Sequence, residues 1–410
     1  MTKGGSEVCE VVVVGGGVIG SSIAYHLTRA GIADVILVER QCVDSGATSR
    51  AAALLARVRP IPHQIPLIQR THAAIRELQA IQGDEMGIRR CGSLHVAASP
   101  ERLAELRRLS LIAAEYGISC RWIDPREAER LLPWLSAREA AGIALMPEDA
   151  IIDPFRLANS YLRAARAKGA QFRHGTEATG LHLEGDRVRG VRTPAGIVRA
   201  RWVVNATGAW ANLLALDQGV GLPLGPVRSH YWIARPPVRL PADMPYAILP
   251  DAGAYLRPDL GGLLLGLRNP RSMRATPRGL PTDPTDVSFD EEVEGWAIPL
   301  DARERLRRFF PDLDRSMAAR FIAGLSTYTP GGEFVVGSTS LDGYLLASSC
   351  CGVGIAASGG IGLAIADLLA DRAPRANLEP YRPDRLGEID PVSESFQACC
   401  AAARSATVLG

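Results

Sequence analysis

Four consecutive valines, Val11 to Val14, run directly into Gly15-Gly16-Gly17-Val18-Ile19-Gly20. A strand with no polar face belongs inside a sheet covered on both sides. Gly15, Gly17 and Gly20 fall in the G-x-G-x-x-G spacing, and Ile23, Ala24 and Leu27 then begin a helical apolar stripe. Each glycine answers a physical need. Gly15 permits the tight turn, Gly17 lets the backbone approach a pyrophosphate, and Gly20 lets the helix pack close to the strand. Phosphates can then sit on the free amides at the helix start, with Val18 and Ile19 at its first turn. A second strand, Val35 to Val38, ends in Glu39, 19 residues after Gly20. That is where an acid can accept from a ribose hydroxyl, so the whole unit predicts a dinucleotide-binding fold.

The chain has 410 residues, enough for two or three domains of about 100–200 residues each. With 46 basic and 44 acidic residues the net charge is +2, which gives no general field for nucleic acid or an anionic membrane. Lys3 and Lys168 are the only lysines, so lysine is scarce as a catalytic group. Eight scattered cysteines form no C-x-x-C pattern, and no disulfide framework or metal site is expected. No charged start with an apolar segment precedes the first strand, and the glycines of Val11 to Ala24 argue against a membrane span. A cytoplasmic location is expected.

Further along, Ser45-Gly46-Ala47-Thr48-Ser49-Arg50 is small and polar, either a ligand-approaching turn or an ordinary loop. Helices are predicted over 66–82 and 101–116, after Asp124, and from Pro154 to about Gly169, with a strand at 94–97. His72 and His95 show no ligand spacing and read as structural. Short strands at 171–173, 181–183 and 188–191 lead to Arg201 to Asn205 and the small-residue turn Ala206-Thr207-Gly208-Ala209-Trp210. From Leu222 to about Phe321 prolines crowd between β-type runs, which suggests an inserted antiparallel sheet with a loop over 271–286. Strands over 334–337 and 344–347 and the turn Cys351-Gly352-Val353-Gly354-Ile355 follow. Ser358-Gly359-Gly360-Ile361-Gly362 reads as a glycine-rich turn opening a helix whose N-terminus can stabilise negative charge on a ring system. The tail after Asp390 is either disordered or a docking helix.

Together these pieces resemble the D-amino-acid-oxidase-like flavoprotein superfamily, in the branch of glycine oxidase, sarcosine oxidase and the dimethylglycine and sarcosine dehydrogenases. The carrying residues are the Gly15–Gly20 fingerprint, Glu39-Arg40, the 45–50 turn, Asp153-Pro154, 205–210, 226–232, 255–258 and 351–362. The resemblance covers roughly residues 8–385. It implies FAD, an α/β Rossmann-like nucleotide domain interrupted in sequence, and an inserted antiparallel-sheet (α+β) substrate domain. Expected bounds are 1–90, 145–221 and 322–385 for the first, 91–144 and 222–321 for the second, and 386–410 for a tail. It implies cofactor contacts from Gly15, Gly17, Val18, Ile19, Gly20, Glu39, Arg40, Ser45, Ala47, Thr48, Ser49, Arg50, Ala178, Ala206, Thr207, Gly208, Trp210, Gly352, Val353, Gly354, Ile355 and Ala356. The implied chemistry is oxidation of a carbon–nitrogen bond in an amino-acid-like amine, where the protein supplies position and electrostatics.

Departures from the family are equally informative. The histidine that tethers flavin in the dimethylglycine dehydrogenase branch matches Arg50, preceded by Ser49 instead of tryptophan. The tethering cysteine of monomeric sarcosine oxidase matches Ser326. FAD is therefore expected to be non-covalent. The lysine that promotes oxygen reduction becomes Leu264, and the lysine that holds the substrate carboxylate becomes Ala356, which argues for an acceptor other than oxygen. No folate-binding region is expected. A carboxylate calls for a bidentate arginine, and the candidates are Arg57, Arg59, Arg228, Arg257 and Arg268. Arg50, His230, Tyr255, Arg268 and Tyr328 are the expected substrate-positioning residues, with Tyr231 as a further pocket wall. The pair Cys350-Cys351 reads as buried small hydrophobes rather than a redox couple. The reading is an FAD-dependent oxidoreductase of secondary or tertiary amino acids, N-methyl or cyclic, most simply a dehydrogenase. Alternatives are the catalytic subunit of an opine- or hydroxyproline-type complex with partner subunits, an oxidase of 2-hydroxy acids, and a non-catalytic flavin-binding scaffold.

Overall fold

A computed structural model describes residues 7–42, 45–259, 262–269, 272–287 and 295–406. The valine run forms the strand Glu7–Val14 and the following glycines open the helix Val18–Ala30. Val11 to Val13 are fully buried, as a strand covered on both faces must be. This strand is central to an eight-stranded sheet. On one side it pairs in parallel with Val35–Val38, and that strand with Gln171–Arg173. On the other it pairs with Gly196–Asn205, matching Val12 to Val203. Tyr344–Ser348 and Val335–Ser338 complete that edge, and an antiparallel pair, Gly180–Glu184 and Arg187–Thr193, branches from Gly196–Asn205.

Residues from three separate stretches of chain, 7–38, 171–205 and 335–348, therefore build one sheet. Helices Val18–Ala30, Ile65–Gln82, Pro154–Arg166 and Gly354–Leu369 bury one side of it in a single core with Val11, Val13, Leu37 and Leu345. The last of these corrects the expectation of a turn at 358–362. The helix begins at Gly354, so Gly359, Gly360 and Gly362 lie inside it. The reason is close packing: a Cβ on Gly360 would stand 2.3 Å from the Leu67 carbonyl oxygen, and one on Gly362 2.3 Å from Ser22 Oγ. Helix propensity favours a turn here, and tertiary packing overrides it.

The second sheet has the order 317–328, 225–235, 262–267, 254–259, 246–249, 93–97, 142–146 and 121–122. It is antiparallel except where Tyr246–Leu249 runs parallel to Ser93–Ala97. The expected domain divisions at 144/145 and 321/322 both fall within strands of this sheet, Gly142–Met146 and Met317–Tyr328. The latter continues because it pairs with Gly225–Arg235 as far as Gly225–Tyr328. A core around Leu94, Trp232, Leu256, Phe309 and Phe310 fills one face of the sheet. The tail is a docking helix: Glu394–Ala406 packs through Cys400 and Ala401 on Val227 and Tyr328.

Candidate active site

Between the two sheets lies a cavity of about 580 Å³, within the range of small-molecule and cofactor sites. Every expected site residue except Gly20 and Ser49 contributes to its wall. Gly20 acts from behind, because a Cβ there would stand 1.9 Å from the Gly15 carbonyl oxygen. Ser49 is exposed, and its hydroxyl donates to the Gly46 carbonyl at 3.1 Å.

On the side of the first sheet the wall is built to admit a dinucleotide. Gly15 has φ 106°, and a Cβ there would meet the Ala206 carbonyl oxygen at 2.6 Å. Glu39 sits at the strand end with one carboxylate oxygen accepting from the Gly16 amide at 2.7 Å and the other from the Gln41 amide at 2.9 Å. Glu39 lines the cavity at the position where ribose recognition needs an acid. Thr48 Oγ1 accepts from the Val18 amide at 3.1 Å and so ties the 45–50 turn to the helix start. The Arg40 guanidinium lies 4.5 Å from the Trp210 ring. Beneath 206–210, Asn205 accepts from the Thr207 amide and hydroxyl and donates to Ala211 and to the Tyr344 hydroxyl, leaving this buried amide no loose group.

Residues 352–356 bring a second helix N-terminus to the cavity, with no side-chain cap on the first amides of Gly354–Leu369. The approach is constrained, since Ser349 and Cys351 both hold left-handed backbone, at φ 52° and 48°. Cys350 and Cys351 line the wall as well. Burial pushes their thiols up to about 12 and about 11, which keeps them as unreactive thiols. Among the described residues no cluster suits a metal ion, all eight cysteines are free, and no helix is long and apolar enough to cross a membrane.

The second sheet supplies the other wall: Ser229, His230 and Tyr231, Tyr246 and Ile248, Tyr255, Arg268 and Leu325 to Tyr328. Tyr255 lies flat against Gly266, where a Cβ would fall 1.9 Å from its ring. His230 packs edge-on against Trp232 with ring centroids 4.9 Å apart. Burial, reinforced by Arg404, Arg228 and Arg268, lowers its pKa to about 3, so the ring is neutral. Arg50 lines the cavity and also braces the 45–50 turn. Its Nη1 donates to the Ser45 carbonyl at 2.6 Å and the Gly46 carbonyl at 3.1 Å, which fixes the turn.

Of the five candidate arginines, Arg59 and Arg268 reach the cavity. Arg57 pairs with Glu148. Arg257 donates to the Ala52 carbonyl at 2.7 Å and pairs with Asp259, and Arg228 is buried outside the cavity wall. The Nε of Arg268 is shielded from solvent with no hydrogen-bond partner, and its pKa falls to about 10, through burial first and the neighbouring Arg404 second. Arg404 itself, on the C-terminal helix, also lines the cavity. The sequence carries no motif around it, only the surrounding alanines. Leu264 is buried in its strand and is not part of the wall, whereas Ala356 is.

Three comparisons agree with this architecture. The chain is 31% identical over 365 residues to a 4-methylaminobutanoate oxidase (formaldehyde-forming) of Paenarthrobacter nicotinovorans, covering 88% of this chain and 44% of that protein. It is 28% identical over 378 residues to the human mitochondrial sarcosine dehydrogenase, covering 90% and 40%. It thus spans less than half the length of these curated relatives. The solved L-proline dehydrogenase from P. horikoshii superposes with a TM-score of 0.81 at 25% identity, covering 94% of this chain and 100% of that one. Residues 10–368 match the DAO family of FAD-dependent oxidoreductases, and the chain belongs to that family.

Proposed function

We propose that this protein oxidises the carbon–nitrogen bond of a secondary or tertiary amino acid, N-methylated or cyclic. FAD, when bound, supplies the two-electron acceptor for a hydride leaving the carbon beside nitrogen. The nitrogen lone pair then closes a C=N bond, and water adds to the imine, releasing a carbonyl compound and the shortened amine from an N-methylated substrate or opening the ring of a cyclic one. The observation that carries this reading is Arg268, a buried guanidinium with an unpaired Nε on the wall of the cavity that also receives the helix start at 352–356. A guanidinium in that setting calls for a carboxylate. Tyr255 and Tyr328 line the cavity with it, and His230, held neutral, adds no further charge to that wall. The names of the oxidase and the two dehydrogenases above, all amine or imino-acid enzymes, favour the same class.

One feature favours a dehydrogenase: among the described residues no lysine lines the cavity. The test is anaerobic reduction of the bound flavin by N-methyl amino acids and proline, followed by air. Reduction with slow recovery supports the proposal, rapid recovery with peroxide makes the protein an oxidase, and no reduction by any amine sinks the amine reading. A non-covalent cofactor is part of the same proposal, supported by Ser326 at the wall and by the protonated state of both nearby thiols. Acid precipitation should leave the yellow colour in the supernatant, and flavin retained in the pellet would contradict this.

A further inference from the structure

The charge balance of the cavity is lopsided. Among the described residues the carboxylates on its wall are Glu39, Glu177 and Asp217, all contributed from the side of the first sheet. The substrate wall carries Arg59, Arg268 and Arg404 and no carboxylate at all. Arg404 is only 5% exposed. Its Nε reaches Ser229 Oγ at 3.4 Å, its guanidinium lies 6.0 Å from the Tyr328 ring centre, and its Nη1 is buried with no partner. The Nε atoms of Arg59 and Arg268 are likewise buried and unpartnered. Adjacent cations sheltered from water repel each other and lose hydration, so such a group is tolerated where an anion completes it. The buried Asp149 acts on Arg59 from behind the wall, and one α-carboxylate answers only one of Arg268 and Arg404, leaving the other buried charge uncompensated.

We infer that the substrate is a dicarboxylic amine, an amino acid whose nitrogen substituent or side chain ends in a second carboxylate, with Arg404 and Arg268 dividing the two anionic groups. Uncharged or cationic side chains gain nothing from that wall. The inference rests on the amine-oxidising function proposed above and narrows it. Arg404 is then a specificity-determining residue delivered by the C-terminal helix, and the hydroxyl of Ser229 orients it.

The experiment uses the FAD-loaded full chain and pairs of amines that differ by one carboxylate: sarcosine against iminodiacetate, and N-ethylglycine against N-(1-carboxyethyl)glycine. The expected result is at least a tenfold higher second-order rate of anaerobic flavin reduction for the dicarboxylate of each pair. That ratio should collapse toward one in Arg404→Gln and be partly kept in Arg404→Lys, which retains the charge. Equal rates within each pair, or a ratio indifferent to Arg404→Gln, would overturn the inference while leaving amine oxidation standing. If no amine reduces the flavin, the proposed function falls, and redox-inert acids decide the remaining point. Glutarate perturbing the flavin spectrum at tenfold lower concentration than butyrate sustains the dicarboxylate site, and equal concentrations end it.

Discussion

Arg268 shows how a single side chain ties fold to chemistry. Held beside Tyr255, Tyr328 and Arg404 with its Nε unpaired, it keeps a charge that no carboxylate on the substrate wall offsets. Replacing it with glutamine removes a charge-assisted hydrogen-bond pair of about 1.5–3 kcal/mol, so kcat/KM for flavin reduction should drop roughly 10- to 100-fold. Stopped-flow reduction by the best amine measures this. Gly266→Ala is the complementary test, because its methyl would overlap the Tyr255 ring. Substrate-driven reduction should fall in that variant while the FAD content of the purified protein holds. The sequence reading names Arg268 twice, among five candidate arginines and among the substrate-positioning residues, but nothing in a linear pattern says which guanidinium reaches the cavity. Arg404 escapes notice altogether: its role comes from the docking of a helix against Gly225–Arg235, a long-range event with no local signature.

At the scale of elements, the nucleotide-binding unit is legible because strand, glycines, helix and acid lie within about 30 residues and each answers a local steric need. The helix Gly354–Leu369 is misread at its start because glycine propensity is local, while the demand for glycine comes from helices Val18–Ala30 and Ile65–Gln82 pressed against it. Gly360→Ala puts a methyl against the backbone of Leu67, where no side chain can yield. Overpacking of this kind costs about 1–3 kcal/mol, and a lower denaturation midpoint in urea, with an unchanged slope, should report it. The strand Met317–Tyr328 crosses an expected division for a similar reason. Proline content marks where a sheet is interrupted, but pairing with Gly225–Arg235 decides how far a strand runs.

For the whole molecule, four buried histidines set the acid limit of stability. His26 and His230 are lowered to about 3, and His72 and His95 to about 4, in each case by burial first. Unfolded histidine titrates near 6.5. Below that pH the unfolded chain binds protons that the folded chain does not, so folding stability falls as pH drops from about 6.5 toward 4. With all four rings contributing, the slope approaches roughly 5 kcal/mol per pH unit. Thermal unfolding between pH 7.5 and 5 should show a steadily falling midpoint, and a flat profile would mean that these rings charge within the fold.

The strand Glu7–Val14 is flanked by Val35–Val38 and by Gly196–Asn205, so one neighbour is made almost at once and the other nearly two hundred residues later. At about 5–20 residues per second, a ribosome leaves that valine edge open for roughly 10–40 s. Throughout this interval the nascent chain displays an apolar ribbon with unsatisfied amides, the kind of surface that draws other chains into aggregates. Production of this protein is therefore governed by what shelters its first strand during synthesis, and slowing translation should lower the soluble yield unless chaperone supply rises with it.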